Sequence, residues 1–190
     1  MSSASLIKWS TERSEDLDEI LSAHQSLGGS GPGRRFATQQ INHAYAVLLA
    51  SQFQGFCRDL HSECADHLAQ HVATSSFQQG LHKLLMRDRK LVRGNANSGS
   101  IGADFKLFDL EFWDEVKNLD KRNRVRQNLL DDLNDWRNAI AHQDFTKVGE
   151  KPSLQLQRVN QWRNACGQLA VTFDRVLRQH LFTLTGKSPW

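Results

Sequence analysis

Proline occurs only three times in 190 residues, at positions 32, 152 and 189. Each lies between or after candidate helices, so no long helical run is broken from within. Strand signals are nearly absent: one tyrosine, no clear period-two alternation and few β-branched clusters. A β-sandwich, a barrel or an alternating α/β fold is therefore excluded. Cysteine is scarce and odd in number, at three, which fits a reducing compartment rather than a disulfide framework. No apolar run approaches the roughly 18 residues that span a bilayer. The first residues, MSSASLIKWSTERSEDLDE, have no basic flank leading into an apolar stretch, so a secretory signal is not expected. The expected location is cytoplasmic, with no membrane partner.

What is present suits a helical domain. Charged residues make up 24% and hydrophobic ones 39%, enough to bury a core without a metal or a disulfide. The expected fold is all-α, an up-and-down bundle of about five helices with one long helix. Residues 1–35 read as an N-terminal helix and a Gly-rich loop, and 36–190 as the bundle, together one domain. Helical segments are expected near 14–26, 36–72, 75–92, 107–119, 121–142 and 153–184. The stretch SLGGSGPGR, 26–34, is a loop by composition, and RGNANSGSIG, 93–102, is a polar, Gly-rich segment expected to be mobile. Ser14 with Glu15-Asp16 reads as one helix start and Asp120 as the cap of another. The net charge of +3 is small but unevenly placed. Residues 1–120 carry 12 Lys/Arg against 15 Asp/Glu; residues 121–190 carry 12 against 6. A basic C-terminal part is compatible with a phosphate-bearing partner, and equally with a plain solvated face.

That basic part contains DWRNAIAHQDF, 135–145. At 100° per residue, Val125, Leu129, Leu133, Trp136 and Ile140 form the expected buried stripe of its helix. Arg137 lies about 60° from Ile140, on the shoulder of the stripe. Asn138 and His142 are four residues apart and are expected to point away from the core. Arg137 and His142 are about 140° apart around a regular helix. For joint work the helix must loosen before His142, or a second copy must complete the site across a two-fold axis. The plain alternative is a helix end: arginine and histidine near a C-terminus are favoured by the macrodipole and cap free carbonyls.

RNAIAH, 137–142, resembles the R-x4-6-H motif of the HEPN superfamily, which usually has a polar residue after the arginine. The motif lies near the end of a late helix in an all-α bundle in those proteins, as it does here. INHAYAVLLASQFQGFCRDL, 41–60, resembles the family's long helix. Relatives often carry a glutamate just after its phenylalanine, where this chain has Gln54, so a role needing an acid there is not carried over. The resemblance spans roughly residues 36–184. It implies a metal-independent endoribonuclease acting as a homodimer on RNA, with no cofactor. His142 would exchange protons with the ribose 2′-OH or the leaving 5′-oxygen. Arg137 would hold the phosphate and Asn138 would orient either partner. The products would be a 2′,3′-cyclic phosphate and a 5′-hydroxyl. Relatives often act in toxin–antitoxin pairs or phage defence, so an antitoxin or regulatory protein is a possible partner. Other relatives bind nucleotide, RNA or protein without cutting, and that is the alternative.

Other clusters are weaker. Arg87, Arg89, Lys90 and Arg93, and separately Lys121, Arg122, Arg124 and Arg126, are candidate RNA-guiding patches or simply solvated faces. Cys57, His61 and Cys64, with His67 or His71, stand at helical spacing. A straight helix offers a third zinc ligand only with strain, so core packing is the expected role and no metal is expected. Trp113, Trp136 and Trp162 are expected in the core, and Trp190 at an exposed terminus. No phosphate-binding Gly loop is present: SLGGSGPGRR lacks the Lys-Ser/Thr ending.

Overall fold

The computed structural model describes residues 1–27, 35–72, 74–150 and 153–190. Most of the Gly-rich 26–34 stretch, with Pro32 and Pro152, lies outside the described residues. The fold is all-α, with no strand among the described residues. The helices are α1 (Ala4–Ser10), α2 (Glu12–Leu27), α3 (Arg35–Val72), α4 (Gln78–Met86), α5 (Lys90–Arg93), α6 (Ser98–Phe105), α7 (Phe112–Leu119), α8 (Asn123–His142) and α9 (Leu156–Thr185). No helix among the described residues is long and apolar enough to cross a membrane.

Helix α3 is the spine. It packs against α1, α2, α4, α8 and α9. Tyr45, Leu49, Phe53, Phe56 and Leu60 are all fully buried along it, at the three- and four-residue spacing that faces one stripe inward. Ala46, Ala50, Cys57, Cys64 and Ala65 bury a second stripe, small enough to let other helices approach. Trp9, Phe53, Phe173 and Phe112 continue the core as edge or tilted aromatic pairs, with centroids 4.7–6.0 Å apart. Each such ring contributes roughly 1.5–3 kcal/mol by leaving water. Cys57 and Cys64 are core residues, and burial pushes both thiols up. No group of three or more His, Cys, Asp or Glu is placed to hold a metal among the described residues.

Several local expectations are corrected. Helix α1 was hidden by its short length. Ser3 caps it, accepting from Leu6 N–H at 3.0 Å, and Leu6 and Trp9 enter the core. Helix α2 begins at Glu12, so Ser14 lies inside it rather than at its start. The expected 75–92 helix breaks at 87–89, where Asp88 adopts φ 58. The 93–102 stretch is not a mobile loop throughout. Asn97 caps α6 by accepting from Ser100 N–H, and Ile101 and Phe105 are fully buried. Asp120 accepts from Arg122 N–H in a turn, and α8 starts after it at Asn123. Val125 is 62% exposed and Leu130 takes its place in the core. Asn123 enters beneath the first turn instead, donating to the Val116 carbonyl. Trp190 is not free either: it packs on the core and its indole N–H donates to Asp174.

Candidate functional site

Helix α8 stays regular to its last residue, His142. Gln143 then turns left-handed at φ 55, a common helix stop. Two of the last four carbonyls, those of Ala139 and Ile140, are satisfied without Arg137 or His142. Gln143 N–H and its side-chain amide donate to Ile140, and Asp144 N–H donates to Ala139. Neither basic side chain donates to a helix-end carbonyl among the described residues; Arg137 donates to Asn138 instead. Behind the helix end, Trp136 is 9% exposed and packs on Trp162, Phe145 and His43. The His43 ring lies nearly parallel to Phe145, with centroids 5.8 Å apart. This aromatic layer fixes the turn that follows α8. Asp144 closes that turn by accepting from Thr146 N–H and Oγ1. These bonds, with smaller help from Lys147 and His142, hold its carboxyl below the usual range.

His142 is exposed and Arg137 half-buried. Among the described residues Arg137 has no carboxylate within ion-pair distance; its one hydrogen bond is Nη1 to Asn138 Oδ1, at 3.2 Å. Asn138 does not point away from the bundle as its spacing suggested. It is half-buried, because the Gly94–Ser98 segment covers that face of α8, and its Oδ1 also accepts from Asn95 Nδ2 at 2.5 Å. Asp131, Asn134 and Asn138 stand at i, i+3 and i+7 on one face of α8, and all three hold that segment. Asp131 accepts from Ser98 N–H and Oγ, and Asn134 donates to the Ala96 carbonyl.

Gln54 completes the arrangement from α3. Its amide donates to the carbonyls of Leu91 at 2.8 Å and Gly94 at 2.7 Å. A glutamate would place a charged acceptor against two acceptors. Gln54→Glu is thus expected to cost about 1–3 kcal/mol of stability, read as a melting temperature lowered by several degrees. An unchanged melting curve would show that these two bonds contribute nothing net.

The two candidate basic patches are not equivalent to Arg137. Arg87 and Arg93 both pair with Asp88. Arg89 turns inward, donating to Arg58 O and Ser62 Oγ, so it ties α5 to α3. Lys90 is exposed, and its backbone N–H donates to buried Asp104. Arg122 and Arg126 share Asp120, whose carboxyl they hold far below its usual range, and both line a groove of about 630 Å³ with Gln161, Asn164 and Gln168. Lys121 and Arg124 are exposed. Arg87, Arg93, Arg122 and Arg126 thus spend their charge on carboxylates, whereas Arg137 pairs with none among the described residues. Sequence reasoning missed Asn95, Asn134 and Asp131; the polar i, i+3, i+7 stripe was the available signal.

Comparison with known proteins yields a family match. The family model described as RiboL-PSP-HEPN matches residues 11–179, most of the chain. No curated protein and no solved structure matches it.

Proposed function

We propose that this chain, which belongs to the HEPN superfamily, is a metal-independent RNA endonuclease with its site at Arg137, Asn138 and His142. The observation that carries the reading is the helix end itself. The Ala139 and Ile140 carbonyls are capped by Gln143 and Asp144, while Arg137 and His142 remain available beside an anchored Asn138. A guanidinium not spent on a carboxylate is suited to a phosphodiester. An exposed imidazole is suited to proton transfer near neutral pH.

His142 takes the proton of the ribose 2′-OH. The 2′-oxygen forms a bond to phosphorus, and the bond from phosphorus to the 5′-oxygen breaks. The leaving 5′-oxygen takes a proton from a second histidine, which is His142 of a second copy. Arg137 offsets the negative charge that builds on the phosphoryl oxygens. Helix α8 does not loosen before His142, so one chain still directs Arg137 and His142 about 140° apart. That regularity favours completion by a second copy across a two-fold axis.

Sedimentation should give twice the chain mass of 21.6 kDa, and a single 2′-deoxy substitution should block cleavage at its own position. An active monomer, or cleavage of the 2′-deoxy position, would contradict this reading. If RNA is bound through Arg137 and never cut, the chain is a non-catalytic binding module. A toxin or phage-defence setting, with an antitoxin as partner, extends the proposal: expression of the wild type should then arrest growth and that of His142→Ala should not.

A further inference from the structure

We infer that Asn95 is a positioning residue that fixes the Asn138 amide and, through it, the Arg137 guanidinium. The inference rests on reading residues 137–142 as the ribonuclease site. Asn95 lies in Gly94–Asn97, a stretch without helix between α5 and α6. The stretch is nonetheless pinned on both sides by side chains of two different helices. From α3, Gln54 holds the carbonyls of Leu91 and Gly94. From α8, Asn134 holds the carbonyl of Ala96, and Asp131 holds Ser98 through both its N–H and its hydroxyl. Ala96 is 2% exposed, so the backbone just after Asn95 is seated against the bundle. Buried Asp104 fixes the stretch upstream by accepting from Lys90 and Leu91 N–H at 2.7 and 2.9 Å.

These anchors leave Asn95 little freedom except to present its side chain along α8. Its Nδ2 meets Asn138 Oδ1 at 2.5 Å, and Arg137 Nη1 meets the same oxygen at 3.2 Å. Two donors on one carbonyl oxygen settle which way the Asn138 amide faces. Its NH2 end, which donates to no other described residue, is left as a donor for a phosphate oxygen. The same oxygen restrains Arg137, whose long side chain otherwise has many rotamers to lose on binding phosphate. Preorganisation of this kind acts on the rate more than on folding.

The test is Asn95→Ala, with Asn95→Ser as a milder companion. Each is measured by side-chain NMR signals of Asn138 and Arg137 Nε–H, by thermal melting, and by cleavage kinetics on a labelled single-stranded RNA. Arg137→Ala and Asn138→Ala assign the signals, and His142→Ala is the control for activity. The expected result is moved or broadened Asn138 and Arg137 signals, a melting temperature within a few degrees of wild type, and kcat lowered about tenfold with KM little changed. Asn95→Asp should be worse than alanine, because a carboxylate turns the Asn138 amide around and pairs with Arg137. Its deficit should shrink as the pH falls and that carboxylate is protonated.

Unmoved Asn138 and Arg137 signals in Asn95→Ala would overturn the inference, whatever the cleavage assay gives. Moved signals with wild-type kinetics, while His142→Ala is inactive, would also overturn it. If the wild type cuts no RNA but the signals still move, the orienting contact stands and the ribonuclease reading is what fails.

Discussion

His142→Ala is expected to lower RNA cleavage by about 10²–10⁴-fold, the usual worth of a positioned acid or base, while leaving the melting temperature unchanged. The two halves of that expectation have separate causes. The rate falls because Asp144, the carboxylate two residues on, cannot stand in for the imidazole: it is engaged by Thr146 and held ionised. The fold is spared because His142 is exposed and the Ala139 and Ile140 carbonyls are capped by Gln143 and Asp144 rather than by the imidazole. Arg137→Ala should cost a comparable factor through lost charge stabilisation. Arg137→Lys should recover only part of it. Lysine keeps the charge but cannot span a phosphate and the Asn138 oxygen with one planar fork. A set of single-turnover rates beside melting curves checks both halves. A drop in rate matched by a drop in melting temperature would make His142 structural.

The second large effect concerns stability against pH. His61 is fully buried in α3, against Phe105 and Phe108 at 5.5 and 4.6 Å between centroids. Its Nε2–H donates to the Asp104 carbonyl, and its buried Nδ1 has no partner among the described residues. Burial, with the nearby Arg89 charge, lowers its pKa from 6.5 to about 4, against a weaker opposing pull from the Asp104 bond. The unfolded chain therefore takes up a proton at this residue before the folded one does. Above pH 6.5 neither state is protonated and nothing is lost. As the pH falls from 6.5 towards 4, the unfolded state gains the proton and stability drops, by roughly 3 kcal/mol once the folded pKa is reached. That corresponds to a melting temperature lower by on the order of 10 °C. Asp120 and Asp144, whose carboxyls are held down, lose their contributions only at lower pH. His61→Phe keeps a ring of similar shape and removes the titration, so its melting temperature should fall much less between pH 7 and 4.5. Equal slopes for wild type and His61→Phe would assign the acid sensitivity elsewhere.

Much of the architecture was legible because α3, α8 and α9 carry long apolar periodicity with few breakers. Their ends were placed within a few residues by composition alone. The short helices were not. Helix α1 has seven residues and α6 has eight, too few turns for a period to stand out. Ser98-Gly99-Ser100 looks like a linker until Asn97 caps it and Asp131 holds Ser98. The site divides in the same way. Arg137, Asn138 and His142, the proposed site, could be picked out from spacing and resemblance. The surroundings of Asn138 could not, since they depend on a segment more than 40 residues earlier that folds over α8. Arg89 errs in the opposite direction: by composition it belongs to a basic surface run, yet its guanidinium turns in to cap α3 groups. Sequence displays charge, but only packing decides where a charge points. Gln54 is the clearest case of a departure gaining a meaning. Where a glutamate is common in relatives, this chain needs a donor, because two carbonyls face that position.

The measurement that bears most directly on the central claim is end analysis of a labelled RNA incubated in EDTA with wild type or His142→Ala. The expected result is cleavage by wild type alone, leaving 2′,3′-cyclic phosphate and 5′-hydroxyl ends. Equal cleavage by both proteins, or 5′-phosphate ends, would contradict the assignment of His142 and the 2′-OH chemistry with it.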